Sequence, residues 1–160
     1  MLKILKWSVL VAAVIFAAAQ FVRPARTNPP IVEAQTAQAH LKMTSEVEAV
    51  FRRACYDCHS NETRWPWYSN VAPASWFLID HVDHGRRHLN FSDWAQSGRR
   101  SEKNPAAQLD EIYEQVKGGG MPLGSYLILH RDASLSDQDV KVICDWVKSE
   151  RLRLAYESGR

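Results

Sequence analysis

Apolar and polar positions follow different rhythms along this chain, and each change of rhythm marks an element. From Trp7 to Ala19 every position but Ser8 is apolar, and after Gln20 the run resumes at Phe21 and Val22. With Lys3 and Lys6 ahead of it, the run has the layout of a secretory signal peptide or a short signal anchor. It is roughly 16 residues long, just under what a tilted helix needs to cross a bilayer. Ala17 and Ala19 could serve a cleavage site, so cleavage stays open, but the continuation through Phe21 and Val22 favours a retained anchor. The lysines direct the N-terminus to the cytoplasm and everything after Val22 to the outer side.

Residues 23–43 carry three prolines and no sustained apolar period, which predicts a tether. A period of three to four then begins with Val47, Val50, Phe51, Ala54, Cys55 and Cys58, behind a capping box of Ser45 and Glu48. A second helix is predicted from Trp76 to His84, opened by Ser75 and closed at Gly85. Asn90 to Trp94 reads as a turn into a short helix capped by Ser92. Asn104 and Pro105 open a helix with Leu109, Ile112, Tyr113 and Val116 on one face, stopped at Gly118, Gly119 and Gly120. The last helix starts at a capping box of Ser136 and Asp139, and its stripe is Val140, Ile143, Cys144 and Val147, running past Leu152. No stretch alternates as a strand does. The expected fold class is all-α, with a signal peptide or anchor over 1–22, a tether over 23–43 and one domain over 44–156.

Composition narrows the function classes. The 160 residues are 46% hydrophobic and 24% charged, which suits one globular domain with a targeting segment. A net charge of +2 without a basic stripe excludes nucleic acid as the expected partner. Three cysteines are an odd number for a disulfide framework in an exported chain. Two of them stand in Cys55, Cys58, His59, the C-x-x-C-H pattern of c-type haem attachment. Two thiols one helical turn apart can reach the two vinyl groups of haem, and an imidazole directly beyond the second thiol reaches the iron. A thioredoxin-type pair needs to open a helix, where the dipole lowers a thiol pKa; this pair ends one. Structural zinc would have to recruit His81 and His84, or one of them with Cys144, a poor match to zinc spacing. A disulfide between Cys55 and Cys58 would be strained and would leave His59 without a role.

With His59 as the proximal iron ligand, Met121 is the candidate distal ligand, since it lies in a glycine-rich loop stiffened by Pro122. Met43, in the tether, is a poor rival. His81 is the alternative ligand, and His84 and His88 read as a solvated face beside Arg86 and Arg87, whose guanidinium groups could meet haem propionates. Trp65, Trp67 and Tyr68 are expected to pack against the porphyrin. Cys144 falls on the last helix as a core residue.

The segments CYDCHSNETRWPWYSNVAPASW, HVDHGRRHLNFSDW and MPLGSYLILHRDASLSDQD, in that order, resemble the bacterial haem-binding domain family of small c-type cytochromes. RPARTNPP is similar to that family's N-terminal stretch, and the portion from Met121 to Trp146 is similar to the distal half of class I cytochromes c. The resemblance implies haem c attached at Cys55 and Cys58, His59 and Met121 as iron ligands, and a first helix crossing the helix of Ile143 and Trp146. The aromatic, histidine-rich segment from Trp65 to Trp94 departs from class I cytochromes. The expected function is electron transfer in the bacterial periplasm, next to the inner membrane, between redox partner proteins. No nucleophile-base-acid set, phosphate loop or second metal motif points to catalysis. Two alternatives stand beside it: an open-site haem protein, peroxidase-like enzyme or gas sensor, with His81 and His84 as distal acid-base groups, and a binding module that docks through LNFSDW.

Overall fold

The structure, a computed structural model, describes residues 1–100 and 103–160. Every element among them is helical, and no strand occurs among the described residues. The first helix, α1 (Leu2–Ala19), buries none of its residues. The domain follows as α2 (Ala37–His40), α3 (Ser45–Ala54), α4 (Tyr56–His59), α5 (Ala74–His88), α6 (Trp94–Arg100), α7 (Pro105–Lys117), α8 (Gly124–Leu127) and α9 (Asp137–Ser158).

Three helix starts are set by side-chain caps, each satisfying backbone N–H groups that have no partner inside the helix. Asn104 caps α7 by accepting from the Ala107 N–H, with Pro105 at the first helical position. Ser136 and Asp139 close the expected capping box on α9. On α3 the cap is Thr44, not Ser45, and its hydroxyl accepts from the Val47 N–H. Glu48 is drawn sideways to Arg52, 2.9 Å away, so it does not reach back to the cap. At its far end α7 passes Gly119, whose φ of +68° is the left-handed conformation that favours glycine. There the Gly120 N–H donates to the Gln115 carbonyl and the Gly119 N–H to that of Val116, a Schellman ending that swings the chain toward Met121.

The core forms where α3 and α7 meet α9. Phe51 presents its ring to the edge of Trp146 at 5.4 Å and tilts against Phe91 at 4.9 Å. Leu109, Ile143 and Val147 fill the space between, all essentially without exposure. Removing side chains of this size from water stabilises by about 1.5–3 kcal/mol each. The crossing of the first domain helix with the helix of Ile143 and Trp146 is therefore present, and an ion pair of Arg53 with Asp139, 2.9 Å, pins its rim. Cys144 is buried on α9.

Residues 23–43 do not hang free. Ala37 and Leu41 belong to the core. The Lys42 N–H donates to Glu150 and the Lys42 carbonyl accepts from the Trp146 indole, both at 2.8 Å. Upstream, the Asn28 amide donates to the Thr63 carbonyl. Absence of an apolar period was the signal for a tether, but these attachments run through backbone groups and amides, which periodicity does not register.

Candidate haem site

The proximal wall begins where α3 breaks. Cys55 leaves helical geometry, with φ −125° and ψ −34°, and one further turn, α4, carries Cys58 and His59. Both thiols and the imidazole line a cavity of about 430 Å³, within the usual range for small-molecule sites, about 300–1,000 Å³. The ring nitrogen Nδ1 of His59 lies 3.1 Å from the Leu89 carbonyl and 3.2 Å from that of Gly85. Since carbonyls only accept, Nδ1 carries the proton and Nε2 keeps its lone pair for a metal. Burial holds the imidazole below its ordinary pKa, against the opposing pull of the two carbonyls. His59 is therefore a neutral imidazole held in one orientation, with Nε2 free to coordinate.

Helix α5 runs against this turn because Gly85 has no side chain. A Cβ there would lie 2.8 Å from the Cys58 carbonyl oxygen and 3.4 Å from Cε1 of His59. The expected helix end at Gly85 is thus an interior position, and α5 continues to His88. Glycine marks both helix ends and close backbone approaches, and packing decides which applies.

Burial pushes the Cys55 thiol up to about 12 and the Cys58 thiol up to about 11. A thiolate-based redox pair needs the opposite shift, so the two cysteines do not have the electrostatics of a disulfide-exchange pair. Among the described residues no three His, Cys, Asp or Glu side chains gather as a site for a bare metal ion. A haem iron, already held by its porphyrin, would need no such cluster from the chain.

Met121 lines the same cavity, followed by Pro122, Leu123 and Tyr126. His81, His84 and His88 reach it from α5. His81 turns Nδ1 to the Phe77 carbonyl, 2.8 Å away, and the rings of His84 and His88 lie 4.5 Å apart. The structure thus gathers the predicted distal ligand and its histidine rivals in one space. Met43 packs against the core instead.

Trp65, Trp67 and Tyr68 are not among the residues lining the cavity. The loop after His59 is folded back on the motif by Thr63, which donates to the Asp57 carbonyl, and by the Arg64 N–H, which donates to the Asp57 carboxylate. Trp67 is then 75% exposed, and the Tyr68 hydroxyl meets His130 at 2.8 Å. The apolar walls come from Phe51, Leu89, Phe91, Ile112, Val116 and Leu123.

Arg86 also differs from expectation. It is nearly buried and donates to the carbonyls of Ser60 and Thr27, to the Asn28 side chain and to the Thr63 hydroxyl, all within 2.9 Å. It ties α5, the haem-motif loop and the segment before the domain together, so its donors are already engaged. Sequence reasoning also missed Asp57, inside the C-x-x-C-H motif. Its carboxylate accepts from the Tyr126 hydroxyl at 2.7 Å and so connects the proximal turn to the loop bearing Met121. Nothing in residue spacing could have shown that pair, since the partners are 69 positions apart.

A neutral imidazole, two protonated thiols and an apolar slot on helices make the build of a haem-binding protein. The chain matches the haem-binding domain family model over residues 14–149 and belongs to that family. No curated protein and no solved structure matches it.

Proposed function

We propose that the protein is a monohaem c-type cytochrome that carries single electrons on the outer side of the inner membrane. In this reading Cys55 and Cys58 hold haem c through thioether bonds, His59 offers Nε2 to the iron and Met121 supplies the sixth ligand. The observation that carries it is the orientation of His59, whose Nδ1 faces two backbone carbonyls while the ring lines a cavity shared with both thiols. The bound haem would supply the one-electron chemistry. The chain's part is to fix the ligand geometry, exclude water with Phe51, Phe91 and Ile112, and limit reorganisation by packing the motif against α5.

Helix α1, of 18 residues and high mean hydropathy, would be retained as the anchor. Support comes from the family match, which starts at residue 14, inside that helix. Redox partner proteins would exchange electrons at the exposed rim of the cavity.

The gathering of His81, His84 and His88 at the cavity favours a second reading, an open site for a small ligand with histidine acid-base groups. Optical spectra of the haem-loaded protein, ferric, ferrous and ferrous with carbon monoxide, separate the two. A low-spin spectrum with a methionine-to-iron band, no reaction with carbon monoxide, and loss of that band in Met121→Ala are the expected results. A high-spin ferric form that binds carbon monoxide promptly would replace the electron carrier with the open-site protein.

A further inference from the structure

The end of α1 is fastened to the domain rather than continuing into a free linker. The Gln20 side chain pairs with the backbone of Ala72 in both directions, donating to its carbonyl at 3.2 Å and accepting from its N–H at 2.9 Å. The Trp76 indole donates to the Val22 carbonyl at 2.7 Å, and Arg26 donates to the Ser69 hydroxyl. These bonds fix where residues 69–76 lie relative to the last turn of α1. They do so without burying any of α1, so the helix leaves the domain from this face.

An 18-residue helix is about 27 Å long at 1.5 Å per residue, close to the roughly 30 Å hydrocarbon thickness of a bilayer. If α1 spans, Gln20 and Val22 lie at the interface, and Ala72 and Trp76 lie there with them. The same stretch carries solvent-facing aromatics: Phe21, Trp67 and Phe77 are 88%, 75% and 54% exposed. Exposed aromatics at this level are what the membrane-water interface selects, and Arg23, exposed beside them, has the sign that anionic headgroups attract. His81, one turn beyond Phe77 with the rings 4.0 Å apart, lines the haem cavity.

We infer that Phe21, Trp67, Trp76 and Phe77 form an interfacial belt that seats the domain on the bilayer crossed by α1, with the His81 edge of the haem cavity next to the lipid surface. The occupant of this apolar face is the lipid headgroup region. The inference rests on the anchor reading above and adds that the domain has one orientation on the membrane.

The test uses the full-length, haem-loaded chain in vesicles of phosphatidylethanolamine and phosphatidylglycerol. In a Cys144→Ala background, a nitroxide is placed at Trp67→Cys, Phe77→Cys or, as the control on α9, Leu152→Cys. Relaxation by oxygen, which partitions into lipid, is compared with relaxation by a water-soluble nickel chelate. Oxygen is expected to dominate at 67 and 77 and nickel at 152. Gln20→Ala with Trp76→Phe is expected to abolish that contrast while leaving the haem spectrum unchanged. Nickel dominance at 67 and 77 in a chain that stays in the vesicles overturns the seating and leaves the anchor standing. Recovery of a mature chain lacking residues 1–19 overturns both.

Discussion

The two walls of the haem cavity are built to different standards. On the His59 side the imidazole is held by backbone: two carbonyls orient it, a glycine lets α5 touch Cys58, and Arg86 locks the loop behind them. On the distal side Met121 sits on a half-exposed loop, with a short helix beyond it joined to the motif by the Tyr126–Asp57 hydrogen bond. One wall is formed by the packing of the domain; the other depends on a latch. If the protein is the c-type cytochrome proposed above, such a division would fix the attachment site firmly and leave the sixth position as the adjustable one. Substitutions on each side should therefore fail in different ways.

The largest effect is expected from Arg86→Ala. It removes a nearly buried cation and strands two carbonyls, an amide oxygen and a hydroxyl, and hydrogen bonds to charged groups are worth about 1.5–3 kcal/mol each. A net loss of about 3 kcal/mol in urea or thermal unfolding is expected; a loss near zero would show that the clamp is dispensable.

Gly85→Ala comes next, because two effects oppose. Alanine favours a helix interior by about 1 kcal/mol, while overpacking costs about 1–3 kcal/mol. The obstructing atom is the Cys58 carbonyl oxygen at 2.8 Å, a backbone atom within the motif that cannot rotate aside, so the clash should win by about 1 kcal/mol. Unfolding and the ferric spectrum would both report the displaced motif, and an Ala variant more stable than the parent would refute the close approach.

Tyr126→Phe tests the distal latch alone. Asp57 keeps its bond from the Arg64 N–H, so the expected stability loss is about 1 kcal/mol. The more telling outcome is faster replacement of the sixth ligand by added imidazole or cyanide, with His59 ligation intact. Unchanged ligand exchange would mean that the loop is held by its packing instead.

The smallest effect concerns the α3–α9 rim. Burial alone would raise the Asp139 carboxyl, but hydrogen bonds from the Ser136 backbone and hydroxyl and from Arg53 outweigh it and hold the folded pKa below the ordinary value. The unfolded carboxyl therefore binds protons more readily. Its contribution is complete above the ordinary carboxylate range and is lost as pH falls through about 4 and below. Comparing Asp139→Asn with the parent should show a difference of about 0.5 kcal/mol at neutral pH that narrows at low pH. A difference independent of pH would assign the effect to the cap rather than to charge.

Much of this protein can be read from residue order, and the reason is locality. The all-α class, the caps at Asn104 and Ser136, the ending near Gly118–Gly120 and the C-x-x-C-H turn each depend on neighbours within a few positions. The crossing of Phe51 with Trp146 was reachable as well, through the family resemblance. Gly85 shows the boundary: its sequence signal was real, but whether it ended a helix or admitted a neighbour depended on Cys58, 27 positions earlier.

Tertiary structure alone decided the rest. It lined the cavity with residues other than Trp65, Trp67 and Tyr68, engaged Arg86 in binding backbone carbonyls, and bound the expected tether at both ends. These outcomes share one cause. Hydrophobic period and capping report how a residue suits its own helix. The carbonyl, amide or ring that it meets across the fold has no fixed separation in sequence, and only the folded chain supplies it.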